Sequence, residues 1–199
     1  MQPWLVGLVW TDYRLAVLLT VISPLILLVW AFICKSDSIQ LLLTIYWRVA
    51  SLLVITVYLM IAAIPIAFIS GFLARILIPI GLWFWVDLNE ELDELPDRNP
   101  LKFVFTAWRW AITVYCGLGL VNQVSSLPCS ILPQTELLKD SLCSLWLEAP
   151  YQFRELFHAN TRPSFLGFLG IVGLAIYMGY LGHFVLVRLG KQGRSASGH

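Results

Sequence analysis

Three arginines lie inside long apolar runs of this sequence: Arg48, Arg75 and Arg109. A guanidinium stays charged at physiological pH and presents a planar fork of donors that matches carboxylate, phosphate and sulfonate oxygens. Placing such a charge at the centre of a membrane helix costs about 2.5–3.5 kcal/mol on insertion scales, so it needs a partner, a polar site or reach to water. One reading is an anion-binding cluster, most simply for the head group of an anionic lipid. The other is structural: the three side chains snorkel to the interface or pair with Asp87, Glu90 and Glu91. Counted from the nearest span ends, the three lie about 14, 17 and 9 Å deep, and Arg75 is the hardest to hydrate. The spans expected below hold no acid to accompany them, which argues against a proton relay.

Cys129 and Cys143 form the second constellation. On a side of the membrane where disulfides persist, a bridge would close a loop of about 15 residues and stabilise by about 3 kcal/mol. The alternative is two buried thiols. Cys34 and Cys116 fall in or at the edge of the apolar spans. No CxxC or HExxH spacing is present, so no metal site is expected. His183, near the end of the last apolar run, is a formal candidate for chlorophyll or haem. A lone histidine near an interface is ordinarily hydrogen-bonded and wet, so neither cofactor is expected, and His158 is weaker still. No catalytic set of residues emerges, and the chain reads as a non-enzyme. Gly167, Gly170 and Gly173 recur every third residue, and Ala175 and Gly179 have small-xxx-small spacing. Such residues let helices approach closely, either inside the protein or across a partner.

The elements that position these residues follow from composition. The 199 residues are 59% hydrophobic and 13% charged, against roughly 25% charged in a soluble domain. Mean hydropathy is +0.79. An all-α polytopic membrane bundle is expected, one domain over 1–199, with spans at 15–34, 39–61, 64–86, 103–121 and 165–187. The first apolar segment reads as a retained span and not as a cleaved signal. Ile39 to Val86 is too long for one span and suits two, joined by a turn at Ile61–Pro65, with proline in the first turn of the second helix. Asp87–Lys102 carries six acids and two bases; Leu88, Leu92 and Leu95 keep a helical period there, so a short surface helix ending before Pro96 is expected. Asn122–Pro163 is an extramembrane segment with two short amphipathic helices, Thr135–Leu147 and Tyr151–His158, set off by Pro133, Pro150 and Pro163. Arg188, Lys191 and Arg194 place the C-terminus on the cytoplasmic side and the 122–163 segment outside. Arg14 goes against this count, and a re-entrant hairpin would leave four spans and flip the N-terminus. A net charge of +1 gives no reason for a nucleic-acid partner.

The runs LVWTDYRLAVLLTV, IYWRVASLLVITVYLMIAA, LIPIGLWFWVDLNEE, FHANTRPSFLGFLGIVGL and VLVRLGKQGRSA resemble a cyanobacterial membrane-protein family of unknown function. The resemblance covers nearly the whole chain except Val121–Ser144. It implies a phototroph and a thylakoid or plasma membrane location, and it brings no catalytic residues. The reading is an accessory subunit or assembly factor of a photosynthetic or respiratory complex, partnered by the bilayer and by other membrane proteins. The alternatives are a small anion transporter or channel, or a lipid-binding membrane protein.

Overall fold

With no water in hydrocarbon to bond free amides and carbonyls, an apolar chain satisfies its backbone internally as helix. The computed structural model describes residues 3–96, 98–188 and 195–196, without the side chains of residues 3–5 and 188. Asp97, Lys191 and Arg194, with the side chains of Trp4 and Arg188, thus lie outside the described residues. Among the described residues there is no strand, and five helical stretches are long and apolar enough to cross a membrane.

The first span is longer than expected. It comprises α1 (Pro3–Ala16), a π-helical segment (Val17–Ile22) and α2 (Ser23–Cys34). Its apolar stretch runs Val6–Cys34, so Asp12 and Arg14 belong to the span and do not precede it. Pro24 opens α2 and has no N–H to give. The carbonyls that a donor at position 24 would reach are Thr20 in α register and Leu19 in π register. Both find donors from other helices: the Tyr46 hydroxyl donates to Thr20 O at 2.7 Å, and Trp108 Nε1 donates to Leu19 O at 2.9 Å. The two aromatic rings pack edge to face, 5.1 Å between centroids. The junction at Pro24 is therefore held by α3 (Asp37–Ile61) and α6 (Pro100–Val124).

Both helix ends that carry a positive φ use one geometry. Ala63 (φ 52) follows α3, where Ile64 N–H donates to Leu59 O and Ala63 N–H to Met60 O. Lys35 (φ 53) follows α2 with Ser36 N–H to Ala31 O and Lys35 N–H to Phe32 O. This pair of bonds closes a helix C-terminus in the Schellman manner. The turn at 61–65 then feeds α4 (Ile66–Trp83), which ends three residues earlier than the expected span. α5 (Val86–Glu94) is the expected short amphipathic helix, with Leu88 and Leu92 buried beneath it. The Asp87 carboxylate accepts from Ser195 Oγ at 3.0 Å and Ala196 N–H at 2.8 Å, which brings that C-terminal piece to the start of α5. α6 starts on Asn99, whose Oδ1 accepts from Leu101 N–H at 2.9 Å.

The extramembrane segment differs from its expected form. A 3-10 turn (Leu127–Ser130) and a single helical turn, α7 (Gln134–Leu137), precede α8 (Ser141–Phe157), which runs through Pro150 without a break. Asp140 starts α8 by accepting from the amides of Leu142 and Cys143. Pro150 removes one backbone bond, but Leu145, Leu147, Ala149 and Pro150 are all buried, and that packing holds the helix on course. α9 (Pro163–His183) is the last span. α3 is the hub, packing on α2, α4, α5, α8 and α9, while α4 packs on α6. The start of α1, the 61–65 turn and α8 share one end of the bundle; the α2–α3 connector, α5 and Ser195–Ala196 share the other.

Removing the Tyr46 hydroxyl leaves the Thr20 carbonyl buried and unpaired, a loss of about 1–3 kcal/mol. Tyr46→Phe is expected to lower the melting temperature of the detergent-purified protein, whereas Tyr180→Phe, at an exposed position, should not. Equal melting of Tyr46→Phe and the parent protein would show that the hydroxyl does not hold this junction.

Candidate functional site

Arg75 is 8% exposed in the middle of α4. Its partner is Asp12, one oxygen of which pairs with Arg75 Nη2. No acid of α5 takes this role. Tyr115 turns its ring toward the guanidinium, 5.7 Å from centroid to Cζ, and its hydroxyl donates to the Asp12 backbone carbonyl at 3.3 Å. Three helices thus meet at one ion pair: α1 gives the acid, α4 the base and α6 the ring. Desolvating two charges costs several kcal/mol per ion, and only close pairing with further hydrogen bonds offsets it.

Two glycines make this possible. A Cβ on Gly119 would stand 2.8 Å from Arg75 Cζ, and a Cβ on Gly71 would stand 2.9 Å from Gln123 Nε2. The arrangement is reciprocal, because Gly71 precedes Arg75 by one turn on α4 and Gly119 precedes Gln123 by one turn on α6. Each helix clears space for the polar side chain of the other. Gln123 is 3% exposed and donates from Nε2 to Phe68 O at 3.2 Å. Close by, the Thr56 and Ser70 hydroxyls lie 2.6 Å apart.

The structure does not bring the three arginines together. Arg75, in the middle of α4, lies over Gly119, in the last two turns of α6. Arg109 is 3% exposed near the opposite end. Its Cζ stacks 3.6 Å from the Trp83 ring centroid, and Trp83 Nε1 donates to Thr113 Oγ1 at 3.0 Å. A desolvated guanidinium over indole is worth about 2 kcal/mol or more, so the ring gives the charge its close contact. Arg48 is exposed and lines a groove of about 510 Å³ between α3, α4 and α9, with Thr44, Tyr180 and Phe184. Among the described residues nothing pairs with the Arg48 guanidinium. A single anion site built from Arg48, Arg75 and Arg109 is therefore not what the fold forms.

Cys129 and Cys143 are joined by a disulfide, Cα atoms 5.8 Å apart, which ties the 3-10 turn after α6 to the first turn of α8. The Asp140 carboxylate lies beside the two sulfurs. With the sulfurs bonded to each other and Asp140 capping α8, this group offers no thiolate to a metal. His183 is exposed at the end of α9, and His158 Nε2 lies 3.1 Å from the Tyr58 hydroxyl. Gly167, Gly170 and Gly173 face inward: Cβ atoms there would meet Ala62 and Ile64, Leu59, and Ile55 respectively. Ala175 and Gly179 are exposed, and nothing lies within 4 Å of a Cβ at Gly179.

Asp12, Tyr115, Gln123, Gly71 and Gly119 complete the site without standing out in the sequence. One signal was there: an unaccompanied arginine mid-span requires an acid, and Asp12 is the acid nearest the N-terminal end of the apolar run. The spans and their charged interior define a polytopic α-helical integral membrane protein. The chain belongs to the family described as protein of unknown function (DUF3177), which matches residues 6–197 and so includes the stretch that the resembling runs leave out. No curated protein and no solved structure matches it.

Gly117 and Gly119 are two residues apart on α6, yet nothing lies within 4 Å of a Cβ on Gly117. Gly119→Ala is expected to destabilise by about 1–3 kcal/mol through overpacking against Arg75. Gly117→Ala should be neutral or slightly stabilising, and thermal unfolding of the two variants side by side reads the difference.

Proposed function

We propose that this protein is a non-enzymatic accessory subunit or assembly factor of a larger membrane complex. We place it in the thylakoid or plasma membrane of a cyanobacterium, with its C-terminus on the cytoplasmic side. The observation that carries the reading is the division of α9 into two faces. Gly167, Gly170 and Gly173 are used up against α3 and the 61–65 turn. Ala175 and Gly179 lie on the outside of the bundle among exposed Ile176, Met178 and Tyr180, and no neighbour stands within 4 Å of a Cβ at Gly179 or Gly182. In hydrocarbon, shallow tracks of this kind admit a second helix at close range. The photosynthetic or respiratory character of the complex rests on the sequence resemblance alone.

A lipid-binding role is the second reading, favoured by the apolar groove with Arg48 on its wall. Acyl chains fit such a groove, and a guanidinium suits an anionic head. An anion pathway selected by three arginines has less support, because Asp12 already neutralises Arg75 and Trp83 covers Arg109.

Tagged protein extracted in mild detergent is expected to bring down a defined membrane complex, identified by mass spectrometry. Gly179→Phe should lose that complex while melting as the parent protein does, since the side chain points into open space. Recovery of the same complex with Gly179→Phe, or of lipid and no protein, would overturn the subunit reading.

A further inference from the structure

Helix α8 ends deeper in the bundle than α9 begins. A Cβ on Gly170 would stand 3.1 Å from Leu59 N, so that residue of α9 is level with Leu59 of α3. Pro163, where α9 starts, is two helical turns earlier and lies about 10 Å farther out. Yet His158, the residue that closes α8, has its Nε2 3.1 Å from the hydroxyl of Tyr58. A helical side chain leans toward its own N-terminus, which for α3 is the far end of the bundle. The last turn of α8 thus lies at a depth that α9 reaches only after about two turns. A second contact agrees. Phe153 lines a cavity of about 230 Å³ together with Val54, two turns before the end of α3, and with Val17 and Val21 of the first span. From there the chain climbs back to α9 through residues 158–162, held to α8 by Arg154 Nε donating to Thr161 O at 3.1 Å.

We propose that the C-terminal half of α8 lies in the bilayer, as an interfacial helix whose last turn is covered by lipid acyl chains. The pattern of the helix fits such a site. Ser141, Glu148, Gln152 and Glu155 are exposed along one side at helical spacing, with half-buried Ser144 among them. Phe157 falls on the opposite side and is 69% exposed, and Leu156, to one side of the stripe, is 78% exposed. The bundle covers part of Phe153, one turn back, and leaves Phe157 bare. An amphipathic helix with its polar side to water and its apolar side at the acyl boundary is a monotopic anchor. The first two turns of α9 expose Phe165, Phe168 and Leu169 as well, so the apolar surface continues from the end of α8 into a span. A soluble protein could not reach Phe157 without entering the leaflet, and the side that α8 turns to water is polar. The Cys129–Cys143 bond pins the opposite end of the helix to the turn after α6.

The test places a nitroxide spin label at residue 156, 157 or 152 in turn, through Leu156→Cys, Phe157→Cys and Gln152→Cys. The background is Cys34→Ser, with buried Cys116 left in place. The full chain is reconstituted as single copies in phosphatidylcholine nanodiscs. Collisions of each label with oxygen, which partitions into lipid, and with a water-soluble nickel chelate are then measured. Labels at 156 and 157 are expected to meet oxygen severalfold more often than the chelate, and the label at 152 the reverse. Chelate access at 156 and 157 equal to that at 152 would overturn the proposal. Exclusion of both reagents, which marks a protein contact, would overturn it too. A second measurement needs no substitution. Phosphatidylcholine with a diazirine midway along one acyl chain, photolysed in discs that hold the unmodified protein, should label Leu156 or Phe157 as mapped by mass spectrometry. Labelling of α9 with none on α8 would count against the proposal in the same way. Neither readout depends on Gly179 or on a co-purifying complex, so failure here is separable from failure of the subunit reading.

Discussion

The rest of this bundle depends on one ion pair in a place where charge is expensive. Arg75 sits near the middle of α4, and Asp12 lies in a largely apolar span of 29 residues, Val6–Cys34. At low dielectric the attraction between the two is large, and so is the cost of leaving either alone. That asymmetry makes the pair a constraint on assembly. α1 must lie against α4 and α6 with Asp12 level with Arg75, because a slide by one helical turn would strand two charges in hydrocarbon. The hydrophobic effect cannot set this register, since lipid tails are as apolar as the helix faces.

The same logic governs the smaller polar groups. Pro24 frees two carbonyls and the bundle answers with Tyr46 and Trp108 from two other helices. Among the described residues Arg109 makes no ion pair at bonding distance, and it takes the face of Trp83. The Gly71–Gln123 and Gly119–Arg75 contacts show how closely helices must approach for such groups to reach one another. Apolar length puts the helices in the membrane, and a few polar contacts decide how they fit. At the extramembrane end a covalent tie does the equivalent work. The Cys129–Cys143 bond holds α8 over the cavity that α1 and α3 enclose.

What was legible in the sequence follows this division. The five spans, the turn at 61–65 and the amphipathic helix over Leu88 and Leu92 are local patterns of hydropathy and turn chemistry, and the structure has them. Asp12 was not legible as a membrane residue, because a search for charge-free windows starts the span at Leu15. Its cost is offset by a residue 63 positions away, beyond the reach of any local pattern. Pro150 looked like a break, but burial of its neighbours outweighs one missing bond. The glycine run of α9 gave away close packing without its direction; spacing alone does not separate Gly170, seated on Leu59, from Gly179, which faces outward. Likewise three arginines at similar apparent depth resemble one cluster until the helices that carry them are placed.

The central claim is that Asp12 and Arg75 act as a single neutral unit. A double-mutant cycle of unfolding free energy in bicelles, with Asp12→Asn, Arg75→Met and the two combined, tests it most directly. Each single change strands a buried partner and is expected to cost about 3–5 kcal/mol, while the double variant should unfold close to the parent protein or above it. Losses that simply add, with the double variant the least stable of the three, would contradict the account.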